Sequence, residues 1–536
     1  MPAEFYKHFN MGIITFVGFT ALVAIISYFA TRTVDEDSSA GYFLGGRSLT
    51  AGVIAGSLLL TNLSTEQIVG LNGDAYSDGI LVMAWETLAA IAIVITAVFL
   101  LPRYLKGGIT TIPTFLERRF DSTTKALTSG LFLTGYAVVL LPMVLFTGSK
   151  AISGMFDIPQ LLGVDDWTAI WICVWGIGII GSIYAIFGGL KAVAVSDTIN
   201  AVGLLIGGLL IPIFGLIAIS DDNTLMGGLA KLSAEHPEKL DAIGGPDSSI
   251  PFATIFTGMM LVQLFYWGSN QQIIQRAFGA KNLIEGQKGL LLAAFIKILG
   301  PIIVVLPGII AFHKYGPGLA SSDVYPKLVA DVLPGAWVGF FAAVLFGAIL
   351  SSFNSALNSC VTLFGIDIYK QFINQEAEEK QIVKVGKRFG IGLAFFSMFI
   401  APFLIYADSI FGYLQTVNGA YSVPILTAIV IGFLTKRVPA IAAKVGILFA
   451  FTVYVAYIII HDALGLIELH MLHMQFITFV LTVIIMLVIG KMKPRETDYI
   501  LEDTKDVDLT TWKYVKPVGL VICLVVISTY FIFTGA

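Results

Sequence analysis

Three charged side chains, Glu86, Lys297 and Asp197, stand inside runs of apolar residues. A charge near the centre of a membrane costs at least about 2.5 kcal/mol, so it normally faces a cavity, has a partner and serves a function. Glu86 and Lys297 have opposite signs and could neutralise each other while presenting hydrogen-bond acceptors and donors to a neutral, hydroxyl-rich ligand. A purely structural ion pair is the alternative. For Asp197 the alternative is a solvated carboxylate at a helix start.

Three glutamines, Gln67, Gln263 and Gln415, also lie within or beside apolar runs. Each amide offers two hydrogen-bond donors and an acceptor. A single glutamine inside a membrane more often joins two helices than it binds a ligand. Because two of the three lie where apolar runs are interrupted, we expect the set to contact a ligand.

Residues 348–355 place several hydroxyls on one apolar segment without any charge, among them Ser351 and Ser352. Hydroxyls and the free carbonyls of unwound backbone are the oxygen ligands that hold sodium in transporters. Serines in membrane helices mostly bond within their own helix, so this pattern alone is a weak indication of a cation site.

Two consecutive aromatic residues, Tyr266 and Trp267, could stack on a sugar ring, although packing is the commoner role of such a pair.

The composition indicates which elements position these residues. The 536 residues are 57% hydrophobic and 13% charged, with a mean hydropathy of +0.86, whereas a soluble domain has about 25% charged residues. Apolar runs long enough to cross a hydrocarbon core of about 30 Å recur along the chain, and we count about fourteen. They lack the alternation of membrane β-strands, so the predicted fold is all-α and integral to a membrane.

The predicted spans divide the chain into four parts. A leading helix covers 11–30, a first repeat covers 49–219, a second covers 251–434, and three trailing helices lie in 439–536 around a charged interior linker, 491–514. Within these parts the spans after the first are predicted at 49–71, 78–102, 126–155, 166–187, 191–219, 251–276, 287–312, 334–369, 386–406, 408–434, 439–460, 468–490 and 515–534.

Lysine and arginine are unevenly distributed between the two sets of loops. With the N-terminus outside, most of the 32 fall on the interior side, and the positive-inside rule then predicts both termini on the exterior. The first apolar run has no cleavage site after it and is predicted to be a retained span. Three cysteines, Cys173, Cys360 and Cys523, lie in apolar segments, which excludes a disulfide framework.

Two predicted spans, five spans apart, are interrupted by polar residues at 61–67 and at 263–272. Polar breaks at corresponding positions of two halves indicate inverted repeats whose unwound midpoints form a central binding site. Misplaced span ends are the alternative interpretation.

At these residues the chain resembles the solute:sodium symporter family, and within it the branch that carries galactose and glucose. The similarity runs from about residue 41 to 436 and is strongest at 62–70, 188–197, 266–276 and 348–370. The resemblance implies a leucine-transporter-like fold, in which two inverted five-helix repeats are preceded by one helix and followed by three.

The resemblance also implies roles for individual residues. It places the sugar contacts at Gln67, Glu86, Gln263, Lys297 and Gln415. It places the inner gate at Tyr266 with Trp267, and the outer hydrophobic gate at Leu71 and Phe411. Sodium would be held by the carbonyls of Leu60, Leu63 and Ala348 with the hydroxyls of Ser351 and Ser352, and would leave past Asp197.

The chain departs from the galactose symporter at two positions and from some other members of the family at a third. Gln263 replaces an asparagine and Ala89 replaces a serine, so the preferred sugar or its pose is open. Asn354 replaces one hydroxyl of a second sodium site found in some members, and we assume one coupling ion.

The sequence therefore predicts a multi-pass symporter of the plasma (inner) membrane that imports a small neutral solute, galactose or glucose, with sodium as the coupling ion. The alternatives are another solute (myo-inositol, sialic acid, proline or another organic acid) or a sugar sensor or channel without coupling. Sugar, sodium and lipid are the expected partners, with no nucleic acid and no obligate protein partner. No nucleotide-binding loop occurs, which argues against ATP-driven transport. Neither a paired-aspartate site nor an H-E-x-x-H motif appears on any predicted span, so no enzymatic activity is expected.

Three histidines lie close together in the sequence near the last predicted exterior loop. His470 and His473, with His461 nearby, are expected to be solvated, and a metal site is the minor alternative.

Overall fold

A computed structural model describes residues 3–31, 39–406 and 410–534. Within these ranges the side chains of 3–11, 30–31, 39–40, 184–189, 336, 406, 410–411 and 462–463 are outside the description. The described residues are helical throughout their regular parts, and the one ladder contact among them is an isolated bridge between Leu49 and Ala280.

The α-helices of the described residues are numbered in chain order. They are α1 Ala3–Thr31, α2 Ser39–Leu44, α3 Ala51–Asn62, α4 Thr65–Asp78, α5 Ala84–Ile95, α6 Leu101–Lys106, α7 Ile112–Arg119, α8 Ser122–Gly135, α9 Leu141–Phe156, α10 Ile158–Leu162, α11 Asp166–Ile219, α12 Leu225–Glu235, α13 Gly258–Gly268, α14 Gln271–Phe278, α15 Leu283–Lys297, α16 Gly300–Val304, α17 Leu306–Tyr315, α18 Ser321–Val332, α19 Gly335–Thr362, α20 Glu379–Ile400, α21 Ile410–Leu434, α22 Ala440–Ile458, α23 Met471–Met492 and α24 Val515–Ile532.

Short 3-10 or π-helical turns extend or join these helices. They are Gly45–Arg47, Gly79–Met83, Thr96–Leu100, Tyr136–Leu140, Pro237–Leu240, Phe252–Phe256, Leu363–Ile373, Ala401–Tyr406 and Ile459–Ala463.

Eleven segments of the described residues are helical, long and apolar enough to cross a membrane, and a helix pair bent by 49° at 298–299 makes a twelfth. The sequence predicted about fourteen spans. The predicted spans 49–71 and 251–276 account for the difference, because each is divided into two short helices. The first of these also ends later than predicted, since α4 continues to Asp78.

Helix α11 carries two of the eleven apolar segments, Asp166–Ile183 and Leu190–Ile219. Gly181 lies against Phe353 and Gly203 against Val344, both in α19. These glycines would be about 33 Å apart on a straight helix, whereas their contacts on α19 are only about 14 Å apart. The chain therefore bends between the two segments, as the sequence predicted for two separate spans.

The leading helix α1 packs along α19. Gly12 approaches the backbone of Gly339 so closely that a Cβ added at Gly339 would lie 2.1 Å from the Gly12 carbonyl oxygen. The Phe16 and Phe346 rings, with centroids 5.4 Å apart, continue the contact. Small residues at a crossing let membrane helices approach closely, where dispersion contacts hold them together.

Two helical spans are broken at their midpoints, inside the polar stretches that the sequence singled out. Between α3 and α4, Leu63 and Ser64 leave helical geometry, with ψ of 57° and −177°. Between α13 and α14, the Asn270 side chain accepts hydrogen bonds from the Gln272 amide at 3.1 Å and from the Tyr136 hydroxyl at 2.5 Å. Each break thus leaves backbone groups free of intrahelical partners in the middle of the bundle.

The two faces of the bundle are named by the segments they carry. The loop side carries residues 220–257, and the linker side carries residues 493–514. Backbone hydrogen bonds join the linker to the helices beneath it. The Thr504 amide donates to the Lys106 carbonyl, and the Leu283 amide donates to the Asp508 carbonyl, both at 3.0 Å. These bonds hold the ends of α6 and α15 under the linker.

Arg119 fixes the end of α21 on the linker side. Its buried guanidinium donates to the carbonyls of Gly432, Thr435 and Val438 at 3.0–3.1 Å. Burial lowers the pKa of Arg119 to about 10, so the group still carries its charge at neutral pH. A cation at a helix C-terminus satisfies free carbonyls and opposes the helix dipole.

Candidate functional site

The centre of the bundle contains a buried ion pair between Glu86 and Lys297. Glu86 lies in the first turn of α5 and Lys297 is the last residue of α15. The two side chains are 0% and 1% exposed, and the Lys297 ammonium donates to the Glu86 carboxylate. A Cβ added at Gly300 would lie 2.2 Å from a Glu86 carboxylate oxygen. The absent side chain at Gly300 therefore makes room for this pair.

Neutral amides complete the hydrogen bonding of the pair. The Gln67 amide donates to the second Glu86 carboxylate oxygen at 2.8 Å, and Lys297 donates to the Asn62 amide oxygen at 2.5 Å. Lys297 also lies 5.7 Å from the centroid of the Trp267 ring. Gln67 and Asn62 flank the break between α3 and α4, and Trp267 precedes the break between α13 and α14. The two breaks and the ion pair thus meet at one place.

The other two predicted sugar contacts are placed differently. Gln263 is buried and donates to the Trp85 carbonyl at 2.9 Å, so its amide reaches the backbone next to Glu86 rather than the ion pair itself. Gln415 is half-buried in α21. Among the described residues no hydrogen bond joins Gln415 to the other four. The structure therefore brings together Gln67, Glu86 and Lys297, with Gln263 at the edge.

The predicted gates lie near the same breaks. Tyr266 and Trp267 stand on α13, with ring centroids 5.3 Å apart, and Trp267 is fully buried. Leu71 on α4 is also fully buried. Phe411 lies at the start of α21, and its side chain is outside the described residues.

The predicted sodium ligands lie where α3 meets α19. Leu60, Leu63, Ala348, Ser351 and Ser352 are all buried. The Ser352 hydroxyl donates to the Thr61 carbonyl at 2.9 Å, and the hydroxyls of Thr61 and Ser351 are 3.3 Å apart. Leu60 is in the last turn of α3 and Leu63 is the residue that follows the helix, so their carbonyls lie where intrahelical partners end. Oxygen ligands of this kind suit an alkali cation.

Asp197 is fully buried toward the linker side and is not solvated. Its carboxylate accepts a hydrogen bond from Ser57 at 2.6 Å and lies 3.8 Å from the Arg276 guanidinium. Arg276, 1% exposed, also donates to Ser57 at 2.9 Å, and it donates to the hydroxyl of Ser355 on α19. This group, called the inner cluster below, joins α3, α11, α14 and α19.

A cavity of about 320 Å³ lies on the other side of the central pair. It is bounded by α4, α9 and α18 and is lined in part by Gly70, Thr147, Lys150 and Asp323. Lys150 and Asp323 face each other across it at 3.4 Å. Gly70 is one helical turn from Gln67, so the cavity reaches toward the central site from the loop side.

Sequence reasoning gave no role to three residues that the structure places here. Asn62 contacts Lys297, and Arg276 pairs with Asp197. Glu66, in the first turn of α4, is buried and one of its carboxylate oxygens has no hydrogen-bond partner within the described residues. The polar stretch 61–67 contained two of them. Arg276 was counted among interior basic residues, although its spacing of four from Gln272 places both on one face of α14.

Comparison with known proteins supplies an independent description. The sequence pattern of the sodium:solute symporter family matches residues 42–450. The chain is 46% identical to the "Uncharacterized symporter YidK" of Escherichia coli, over 97% of this chain and 90% of that protein. It is 31% identical to the sodium/glucose cotransporter of Vibrio parahaemolyticus, over 81% and 82% of the two chains. A sodium/myo-inositol cotransporter 2 from Rattus norvegicus is 26% identical over 79% and 66%.

Solved structures share the fold. A Na+-coupled sialic acid symporter superimposes with a TM-score of 0.77 at 20% identity, covering 91% of this chain and 99% of that one. The nucleobase-cation-symport transporter Mhp1 gives a TM-score of 0.52 at 13% identity, over 84% and 95%. At these identities the likeness concerns the arrangement of helices and carries no information on the cargo.

Proposed function

Because the chain belongs to the sodium:solute symporter family, we propose that it couples the inward movement of sodium to the uptake of a neutral monosaccharide, galactose or glucose. The transport would proceed by alternating access, in which the central site opens to one side of the membrane at a time. No covalent bond is made or broken in this cycle.

The observation that carries the proposal is the neutral hydrogen-bonding centre built by Glu86 and Lys297. Their charges cancel, while Gln67 and Asn62 add amide donors and acceptors beside them. A sugar presents several hydroxyls, each a donor and an acceptor, and can exchange hydrogen bonds with both members of the pair. Trp267 beside Lys297 gives an aromatic face for the apolar side of a sugar ring.

A carboxylate cargo fits this centre poorly. Such a cargo needs a cation with free hydrogen-bonding capacity, and a bidentate arginine serves best. Lys297 is already paired with Glu86, and Arg276 is paired with Asp197. Sialic acid, proline and other organic acids are therefore the weaker candidates.

We assign the coupling sodium to the carbonyls of Leu60, Leu63 and Ala348 with the hydroxyls of Ser351 and Ser352. This assignment is supported by the contact between α3 and α19 at Ser352 and Thr61. Asn62, next to these carbonyls, holds Lys297. Sodium that fixes the end of α3 would fix the sugar site too, so each ligand raises the affinity of the other by the same factor.

One sodium suffices as a driving force. An inside-negative potential of 100 mV contributes about 2.3 kcal/mol per charge, and a tenfold sodium gradient contributes about 1.4 kcal/mol. Together these would sustain roughly 500-fold accumulation of a neutral sugar.

We place the loop side on the exterior of the plasma membrane and the linker side in the cytoplasm, with both termini outside. The basic residues of the linker side support this orientation. The cavity between Lys150 and Asp323 is then the entrance from outside, and the inner cluster closes the path to the cytoplasm. Release of sodium would require separation of Asp197 from Arg276.

Myo-inositol is a second candidate, because it is a neutral polyol like a hexose and because cotransporters for it are among the relatives. Gln263 is one methylene longer than the asparagine of the galactose symporter, and its amide donates to the Trp85 carbonyl. This difference changes the shape of the site at its edge and leaves the charged centre unchanged, so it could select between a hexose and myo-inositol.

Uptake into proteoliposomes tests the proposal. Labelled galactose, glucose, myo-inositol, sialic acid and proline are each supplied with an imposed sodium gradient, and with potassium replacing sodium as control. Accumulation of a hexose with sodium only is the expected result. Sodium-driven accumulation of a different solute would overturn the sugar assignment, and equal uptake in potassium would overturn sodium coupling.

A further inference from the structure

Two histidines and a glutamate lie together on the loop side, and none of them belongs to the central site. Glu235 ends α12, His236 follows it, and His313 lies in the last turn of α17. Their potential ligand atoms all lie within 4.8 Å of one another. We propose that these three side chains form a Zn²⁺ site that fastens the segment 220–257 to α17.

The chemistry and spacing of the donors suit zinc. Histidine nitrogen and carboxylate oxygen bind Zn²⁺ at about 2.0–2.2 Å in a tetrahedron, whose edges are then about 3.4 Å. The His313 Nδ1 atom lies 3.4 Å from a Glu235 carboxylate oxygen. This nitrogen is buried and makes no hydrogen bond within the described residues. A buried nitrogen without a hydrogen bond, at the distance from a carboxylate oxygen that two zinc ligands have, is suited to bind a metal ion.

Glu238 is placed to hydrogen-bond the second ring nitrogen of His236, as a carboxylate often does for a metal-binding histidine. Its carboxylate lies 3.4 Å from the His236 Nδ1 atom. A carboxylate on one ring nitrogen orients the ring and makes the other nitrogen a better ligand. Nε2 is then the His236 atom that we assign to the metal, with water as the fourth ligand.

The backbone around both histidines is already fixed. The His236 amide donates to the Leu232 carbonyl at 2.9 Å, and the Lys239 amide donates to the His236 carbonyl at 3.0 Å. Helix α17 ends at Tyr315, and the carbonyl of the next residue, Gly316, accepts from the Tyr76 hydroxyl. The two histidine rings already lie with centroids 5.3 Å apart. Because the backbone on both sides is held and the Glu235 oxygen already lies 3.4 Å from the His313 Nδ1 atom, binding of an ion orders little of the chain.

The histidines that lie close together in the sequence make a natural control. His470 has both ring nitrogens engaged: Nε2 lies 3.0 Å from the Ser249 carbonyl, and Nδ1 accepts from the Leu472 amide at 3.2 Å. The His473 Nδ1 atom lies 3.2 Å from the Thr257 hydroxyl. These contacts hold loops together, and within the described part of the chain the group of three converging metal-ligand atoms is the one at Glu235, His236 and His313.

The test is zinc titration of the purified full chain, stripped with a chelator, in competition with a zinc-binding dye. The wild type is expected to take up one equivalent of Zn²⁺ tightly. His236→Gln and His313→Gln should each lose it, Glu238→Gln should weaken binding about 10- to 100-fold, and His473→Gln should bind like the wild type. Loss of binding in His473→Gln, or wild-type binding in His313→Gln, would overturn the assignment.

A measurement on the unaltered chain covers the case in which a variant fails to fold. Zn²⁺ should protect His236 and His313 from carbethoxylation, as read by mass spectrometry, while His473 reacts at an unchanged rate. It should also raise the thermal midpoint, because a ligand that binds only the folded state stabilises it. Equal labelling of all three histidines with and without Zn²⁺ would contradict the proposal. Neither readout depends on transport.

Discussion

Two buried lysine–carboxylate pairs in this molecule have the same chemistry and different surroundings. At the centre, Glu86 and Lys297 are joined by the amides of Gln67 and Asn62 at the break of two helices. On the linker side, Lys125 in the first turn of α8 lies 3.3 Å from the carboxylate of Asp367, which is inside the π-helical turn Leu363–Ile373. Burial of an ion pair is thus shared by both regions and does not by itself identify a binding site.

The linker-side pair has no hydrogen-bonding capacity to spare for a ligand. Asp367 accepts from the hydroxyls of Thr111 and Ser129 at 3.0–3.2 Å. Lys125 also donates to Glu117 at 2.9 Å and to Gln371 at 2.7 Å. Each group is satisfied by protein on an unbroken helix or a capping turn. The central pair lies among free helix ends, which is where a transporter can change shape around a cargo.

The largest expected difference between the regions comes from removing each lysine. Lys297→Met should reduce sodium-driven sugar uptake at least about 100-fold, because an unpaired buried carboxylate costs about 3–5 kcal/mol and the sugar loses its donor. Lys125→Met is the matched control and should keep wild-type uptake per folded molecule. Uptake is measured in proteoliposomes and normalised to monodisperse protein.

The double variant Glu86→Gln with Lys297→Met sharpens this comparison. Removing both charges should restore the thermal midpoint lost in Lys297→Met, since no charge is left unpaired, but should leave uptake absent. Recovery of uptake in the double variant would mean that the central pair is structural, like the one on the linker side.

A smaller effect is expected from Asp367→Asn on the linker side. The substitution leaves Lys125 with Glu117 but weakens the hydroxyl contacts, at a cost of about 1–3 kcal/mol of stability. The thermal midpoint should fall, while the apparent affinity for sugar stays unchanged. A changed sugar affinity with an unchanged thermal midpoint would show that this region takes part in binding.

The smallest effect is expected from Gln263→Asn at the edge of the centre. The shorter amide should lose its reach to the Trp85 carbonyl and leave the ion pair intact. We expect a change of about 3- to 10-fold in the ratio of galactose to myo-inositol uptake, equivalent to about 0.7–1.4 kcal/mol. Competition between the two solutes measures it. An unchanged ratio would exclude Gln263 from cargo selection.

The position of the central site could be predicted from the sequence because the residues that mark it are rare in membrane spans. A charge within an apolar run, as at Glu86 and Lys297, is costly unless it is paired, and the polar breaks marked where the pair must lie. The all-helical membrane fold followed from the lengths of the apolar runs. The limits of the two repeats and the roles of the individual site residues, Gln415 among them, stay predictions.

Other features depend on contacts between distant parts of the chain. Arg276 lies at the end of a helix among interior basic residues, and only the packing of α14 between α3 and α19 shows that it is buried against Asp197. Asp367 was hidden at the end of a predicted span. His236 and His313 are separated by most of two helical spans, whereas the histidines adjacent in sequence are engaged in loop contacts.

Equilibrium binding of galactose and of sodium to the purified protein tests the central claim most directly. Each ligand is titrated at several fixed concentrations of the other, with potassium maintaining ionic strength, in the wild type and in Ser352→Ala. We predict that sodium raises the affinity for galactose and that galactose raises the affinity for sodium by the same factor, and that both effects vanish in Ser352→Ala. Galactose binding that is independent of sodium would contradict the account.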